Sequence, residues 1–414
     1  MSAPRAQRFR IAVRKYEPFE RAVRAQWESF ARETGSALEL DLVAFDLHAL
    51  EDALFESGGM ANGDWDVAFV ATDWIAAMHA RGCAVDLGPM LEREPPADYP
   101  QGWAPSLLRL QRIGDAVLGV PYHDGPECLI YRRDLFEARN TRSRFYSRFH
   151  RPLEPPTTWE EFHTIARFFQ SPGEGLYGTA FAAYPDGHNS VYDFLLQLWS
   201  RGGELFSGDG RPTFATAEAE AALAFYRAML TDGGAVHPAC LEMDSVAAGM
   251  RFAAGEIAMM VNWFGFATHA HTAADSAVRG LVEVSELPAG TGGAPVSLNV
   301  YWILALAAGS AHRELAWGFL RHTQTRAMDK LTTTSGAIGC RSSTWSDPEI
   351  RAEIPFYGRL EVLHRQAREI PQRQDWPQIA GAIDRLITRA ITTDTPIREL
   401  LEAADASTYS GCVL

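Results

Sequence analysis

The residue types that could do chemistry in this 414-residue chain stand directly after apolar runs. Trp65 to Val70 reads as a buried strand, and Asp73 and Trp74 follow it; Tyr16 and Glu17 hold the same position after the apolar run Phe9 to Val13. Asn262, Trp263 and Phe264 come immediately after Ile257 to Val261. An aromatic face packs on the C–H face of a sugar ring, and carboxylates and amides bond its hydroxyls, so these groups suit carbohydrate recognition. In open parallel sheets, ligands bind beyond the carboxyl ends of the strands, where these residues lie. A plain structural role competes at each position. Asp73 can cap a helix over Trp74 to Ala80, and the aromatics can fill a core.

Bond-making chemistry is not indicated. The chain contains no HExxH, GxSxG or tight Cys/His metal spacing. His269 and His271 lack a neighbouring third ligand and read as surface or structural residues. The glycine-rich turn Gly290 to Pro295 lacks the GxxxxGK[ST] pattern of a phosphate loop. No metal, cofactor or catalytic residue is therefore expected. The net charge of −14 disfavours nucleic acid as a partner, because that binding rests on basic side chains against phosphates. Asn140 to Pro156 is basic and irregular, and reads as a solvated loop or an anion patch. The five cysteines are widely spaced and read mostly as free thiols. No run approaches the ~18 apolar residues of a membrane span. No signal peptide is visible: either the chain is cytoplasmic or a leader precedes it.

The elements that must position these residues follow from periodicity. Strand, helix, strand, helix, strand over Phe9–Val13, Phe19–Glu33, Leu38–Val43, Leu47–Phe55 and Trp65–Val70 predicts a parallel α/β sheet. Gly119 to Phe136 (GVPYHDGPECLIYRRDLF) leaves one apolar run, turns through His123, Asp124, Gly125 and Pro126, and enters another. That pattern suits a crossing between two α/β lobes, and 414 residues exceed what one core sustains. Thr158 with Glu161 forms a capping box for a helix from Trp159. Ser297 to Leu304 reads as one strand with polar and aromatic alternation, Thr332 to Arg341 as a loop, and the chain beyond Pro348 as helices broken at 370–377.

Five stretches in order carry a resemblance: GVPYHDGPECLIYRRDLF, PPTTWEEFHTIARFF, LYGTAF with FLLQLWSRGGELF, FAAGEIAMMVNWFGF, and ELAWGFLRH before TTSGAIGCRSS. The chain resembles the carbohydrate-binding extracytoplasmic solute-binding proteins of ABC importers, the group that includes maltose-binding protein. The resemblance implies an α/β fold of the two-lobed periplasmic-binding-protein type II architecture, with a hinge and an interlobe cleft. It implies discontinuous lobes, one of 1–122 plus 302–340 and the other of 123–301 plus 341–414. It further implies a non-enzymatic receptor that binds a mono- or oligosaccharide and delivers it, as a monomer, to transmembrane permease subunits from a periplasmic or surface-anchored location. Carried over by position, the ligand contacts would be Tyr16, Glu17, Asp73, Trp74, His123, Asp124, Asp186, His188, Asn262, Trp263, Phe264, Asn299, Trp302 and Arg341, with Arg373 and Trp376 in the late loop. The family often has a proline in the loop that here reads GAIGCRSS. Two alternatives stay open: a receptor for an anionic sugar derivative, motivated by Arg341, Arg373, His123 and His188, and a cytoplasmic two-lobed sugar-acting enzyme.

Overall fold

A computed structural model describes residues 8–409. Its strands in chain order are β1 (Arg8–Arg14), β2 (Glu39–Phe45), β3 (Val67–Ala71), the hairpin β4 (Arg112–Ile113) and β5 (Ala116–Val117), β6 (Val120–His123), β7 (Glu127–Arg132), β8 (Tyr177–Ala180), β9 (Ile257–Trp263), β10 (Val282–Ser285), β11 (Ser297–Asn299), β12 (Trp302–Leu306) and β13 (Ala367–Glu369). They distribute over two compact units. Unit 1 is Met1–Gly125, Asn299–His364 and Glu369–Gln374; unit 2 is Pro126–Leu298, Arg365–Arg368 and Asp375–Leu414. The first change of unit thus falls at Gly125/Pro126, and residues 341–364 belong to unit 1, where the resemblance implied the other lobe.

Unit 1 holds a five-stranded sheet of order β2-β1-β3-β12-β6. β1 runs parallel to β2 and β3, as the alternation of strands and helices predicts, while β12 returns antiparallel between β3 and β6. The register sets Trp302 opposite both Ala71 and His123. The carboxyl ends of β1, β3 and β6 and the start of β12 therefore share one edge. Helix Glu17–Thr34 begins with Pro18 and acidic Glu17 and Glu20, which suit a helix start, and stops at Gly35 with φ 70°. Its buried face carries Phe19, Val23, Trp27 and Phe30 at helical spacing. Trp27 stacks on Phe9 of β1 at 4.6 Å between ring centroids. Each such ring contributes about 2 kcal/mol by leaving water.

Unit 2 holds a four-stranded sheet of order β10-β7-β9-β8, with β7 antiparallel to β10 and β9 and only β8 parallel to β9. Helix Trp159–Phe169 packs so closely on β8 that a Cβ at Gly178 would lie 1.9 Å from the Ala166 carbonyl oxygen. Its cap is a displaced version of the expected box. Thr158 Oγ1 accepts from Glu161 N at 3.2 Å, but Glu161 reaches back to the Thr157 amide, at 2.9 Å.

Three expectations change. Residues 139–149 form a helix, not a loop, because Phe145 inserts between Phe149 and Phe168 and anchors one face. The stretch 297–304 is two strands, since the chain changes units at Leu298/Asn299. Helix Arg326–Thr334 occupies the start of the expected loop, capped by Thr325 Oγ1, which accepts from Met328 N. Cys83, Cys128, Cys240 and Cys340 are buried free thiols, and Cys412 lies outside the described residues. None of the described helices is long and apolar enough to cross a membrane.

Candidate functional site

The shared edge of the unit 1 sheet gathers several of the expected residues. Tyr16 lies two residues beyond the end of β1 and edge-on to Phe19, with ring centroids 5.0 Å apart. Phe19 meets the His123 ring at 4.7 Å and Trp302 at 6.3 Å, and Trp302 stands perpendicular to Trp74 at 5.8 Å. Tyr16, Asp73, His123 and Trp302 are half-buried, whereas Trp74 is 5% exposed and backs the cluster. The result is an aromatic surface with a carboxylate, a phenol and an imidazole around it. Phe19, which periodicity assigns to a helix core, is the ring that joins these groups; its place one turn after Tyr16 is the signal in the sequence.

Burial sets the protonation of this edge. It raises the Tyr16 hydroxyl above the phenol range, with the Glu17 charge adding to the effect, so Tyr16 is a neutral donor and acceptor. It pushes the His123 imidazole down to about 4. Ile338 N donates to His123 Nδ1 at 2.9 Å, which leaves the ring proton on Nε2. His123 therefore offers a neutral N–H, not a cation. Glu17 is exposed and paired with Arg21 at 3.0 Å.

In unit 2, Trp263 ends β9 half-buried, with its ring 5.8 Å from Tyr192. Tyr192 also meets His188 edge-on at 5.8 Å, so it brings Trp263 and His188 together. Tyr192 lies one turn inside helix Asn189–Trp199, a position that periodicity reads only as packing. Asp186 serves the start of that helix, accepting from His188 N at 2.9 Å, Asn189 N at 3.0 Å and Asn189 Nδ2 at 2.6 Å. The same loop is held by Asp384, which accepts from Gly187 N at 2.5 Å and from the Ser190 hydroxyl.

Most of the remaining expected contacts are turned inward. Asn262 is 2% exposed; it donates to the Ser245 carbonyl at 3.0 Å and accepts from Trp263 N at 2.8 Å. Phe264 and Trp376 are 0% and 3% exposed and belong to the unit 2 core. Asn299 is 0% exposed, with neither amide atom hydrogen-bonded. Arg373 is half-buried in the 369–374 segment, its N–H bonded to the Pro371 carbonyl at 2.9 Å.

Arg341 is the clearest departure from expectation. It is 1% exposed, and its guanidinium donates to the carbonyls of Ala97 and Gln324 at 3.2 and 2.7 Å and to Asp98 at 2.8 Å. It lies over the Trp103 ring at 4.4 Å, and a Cβ at Gly102 would come within 2.9 Å of its Nη2. Asp329 fixes the same turn, accepting from Cys340 N, Arg341 N and the Thr344 hydroxyl at 2.8, 3.1 and 2.5 Å. The arginine is thus an internal clamp of unit 1. R341A is expected to cost about 3 kcal/mol, since it strands the groups that the guanidinium satisfied. Ligand affinity, measured by calorimetry below the melting transition, is expected to stay within about twofold; a tenfold loss would return Arg341 to the ligand-contacting set.

Asp124 is likewise engaged inside unit 1. Its Oδ2 lies 2.6 Å from His364 Nε2, and His364 Nδ1 lies 2.9 Å from the Ser106 hydroxyl. Serine, histidine and aspartate are the residue types of an acyl-transfer triad. Here Ser106 and His364 are 8% and 9% exposed, Asp124 is fully buried, and Trp345 covers the imidazole face at 4.8 Å. The chain braces two points next to changes of unit, Gly125/Pro126 and His364/Arg365, and its hydroxyl is not offered to a substrate. Sequence reasoning missed it because its members lie 18 and 240 residues apart along the chain. Among the described residues, no group of three His, Cys, Asp or Glu side chains is arranged to hold a metal ion.

With this geometry in place, comparison with known proteins is decisive. A family model described as bacterial extracellular solute-binding protein matches residues 32–327. The chain belongs to this family. It is 24% identical over 376 residues to a probable ABC transporter-binding protein of Deinococcus radiodurans, covering 88% of this chain and 84% of that one. The maltose-bound MalE3 of T. maritima superposes with a TM-score of 0.84 at 20% identity, over 97% of this chain and 99% of the other. A solute-binding protein of Agrobacterium radiobacter K84 in complex with ribitol gives 0.83 at 22% identity, over 97% and 98%. At these identities the likeness establishes the solute-binding-protein fold, two-lobed and α/β.

Proposed function

We propose that this protein is the carbohydrate- or polyol-binding receptor of an ABC importer, working outside the cytoplasm and passing its ligand to transmembrane permease subunits. The observation that carries the reading is the aromatic edge of unit 1, where half-buried Tyr16, His123 and Trp302 surround Phe19 beside Asp73. A ring face for C–H groups next to a carboxylate, a neutral imidazole and a phenol matches a polyhydroxylated, uncharged ligand. Unit 2 by itself carries groups of the same kind, Trp263 and His188, and hinge closure on the ligand is the delivery signal that the family's fold implies. Family membership supports the transporter partner and the location. Structures of this fold have been solved with maltose, ribitol, tagatose and mannitol, which supports the ligand class.

The protein binds and releases its ligand unchanged in this reading. The one serine–histidine–aspartate chain described above is buried under Trp345, and it supports structure. An anionic ligand is disfavoured because Arg341 is used internally and His123 is neutral.

A thermal-shift screen with neutral sugars, polyols and sugar acids tests the proposal. A neutral sugar or polyol is expected to raise Tm, further with each increment of excess ligand, because it binds the folded state alone. Stabilisation by sugar acids only, or by no member of the panel, would overturn it.

A further inference from the structure

Helix Arg139–Phe149 is the most positive element of an acidic chain. Its sequence, RNTRSRFYSRF, holds four arginines and no acid, in a protein with net charge −14. Arg139, Arg142, Arg144 and Arg148 are all exposed, and none of them forms an ion pair among the described residues. Some arginines elsewhere are matched, Arg21 with Glu17, Arg93 with Glu314 and Arg368 with Glu204, while Arg24, Arg112, Arg385 and Arg389 are exposed without an ion pair among the described residues. Even the neighbouring Arg151 is neutralised, by Glu161 at 2.6 Å. What sets the helix apart is the concentration of four exposed positive charges within eleven residues that hold no acid.

The geometry of the helix gives that charge a form. Only Phe145 is buried, so the apolar side is used up in the unit 2 core and most of the circumference faces water. Arg144 and Arg148 sit one turn apart on one flank; Arg144 lies over the Phe168 ring at 5.6 Å and Arg148 over Phe149 at 5.2 Å. Arg139, Arg142 and Tyr146 recur at helical spacing on the other flank. Tyr146 is 59% exposed, the largest exposure among the described large hydrophobic side chains.

We infer that helix Arg139–Phe149 is a docking face for an anionic phospholipid surface. Guanidinium groups pair bidentately with phosphate, and clusters of this size are attracted to acidic headgroups. An exposed tyrosine beside Arg139 and Arg142 suits the headgroup layer, where aromatic rings with a polar tip accumulate. Because Phe145 and Phe149 pack inward, the helix lies on the surface and does not insert an apolar face. The net charge of −14 repels the same surface, so attachment is weak, oriented by this one helix and strongly dependent on salt. A receptor held this way meets its transporter by searching a plane. The inference is independent of which ligand the protein carries.

The test is co-sedimentation of the full-length protein with phosphatidylglycerol-rich vesicles and with phosphatidylcholine vesicles, without added sugar. Binding to the acidic vesicles alone is expected at low ionic strength, with loss near 1 M salt, where the screening length falls to about 3 Å. Each Arg→Gln change at Arg142, Arg144 or Arg148 is expected to lower the partition constant about fivefold, and the triple change about a hundredfold. The matching Arg→Lys triple variant should retain most of the binding, and circular dichroism melts verify that both variants fold. Equal binding of parent and Arg→Gln triple variant, no preference for acidic vesicles, or a single-stranded oligonucleotide bound more tightly than the vesicles would each overturn the assignment.

Discussion

Replacing Trp302 by alanine is expected to lower ligand affinity by about 2 to 4 kcal/mol, or roughly thirty- to a thousandfold, and fold stability by about 1 to 2 kcal/mol. Trp302 is half-buried at the first position of β12, so its removal leaves the register of Ile303 to Leu306 against β3 untouched. Its ring meets Trp74, Phe69 and Phe19 and has a free remainder, which is where a sugar face would stack. Titration calorimetry with the sugar found in the screen measures the change, and W302F separates stacking from size. Phenylalanine should recover part of the affinity. An unchanged affinity in W302A would move the binding surface away from this edge. W263A serves as the comparison in unit 2, where the ring has Tyr192 beside it and should be felt less strongly.

The second large effect is on stability, and it has opposite signs at two buried sites, one in each unit. In unit 2, burial raises Glu127 and lifts Asp193 to about 8, with the two carboxyls disfavouring each other's ionisation; Tyr226 donates to Asp193 at 2.8 Å. Their exposures are 6% and 7%. Between the ordinary aspartate value of 3.8 and about 8, the native state therefore holds a proton that the unfolded chain has lost. Stability falls as pH rises through that window, by about 1.4 kcal/mol per pH unit for one proton.

In unit 1 the His123 imidazole, held down to about 4 by burial, stays neutral where the unfolded chain has already taken up a proton, below 6.5. Stability there falls as pH drops from 6.5 towards 4. The two slopes oppose each other below pH 6.5; above it the proton on Asp193 alone accounts for a loss of about 2 kcal/mol between pH 6.5 and 8. D193N keeps an acceptor for Tyr226 and removes the ionisable group. Its Tm should approach that of the parent in acid and exceed it increasingly towards pH 8, as read by calorimetry across the range. Parallel Tm–pH curves for the two proteins would refute the assignment.

What could be read in advance follows the range of the forces involved. Helix Glu17–Thr34 was legible because its apolar stripe, proline start and glycine stop act within one or two turns. Strands β1 to β3 and their parallel pairing follow from local alternation of strand and helix patterns. Helix Arg139–Phe149 was not legible: its own residues are nearly all polar, and the one contact that anchors it, Phe145 against Phe168, comes from another helix. The strand break at Val300 and Tyr301 was hidden for the same reason, since no local residue records a change of unit.

The site divides in the same way. The amino-acid sequence by itself determined which residues follow strands, and so placed Tyr16, Asp73 and Trp263 at positions from which a ligand can be met, whereas Trp302 was read inside a strand and the structure puts it at the start of one. Only the tertiary structure decided which of them keep a free face. Arg341 looks in sequence like an anion ligand, yet the carbonyls of Ala97 and Gln324 and the carboxylate of Asp98 consume its donors. Asp124 looks like a cleft carboxylate, yet His364, 240 residues away, takes it. A buried polar group must be hydrogen-bonded, and its partner is chosen by proximity in space, so residue type announces capacity and the fold assigns its use.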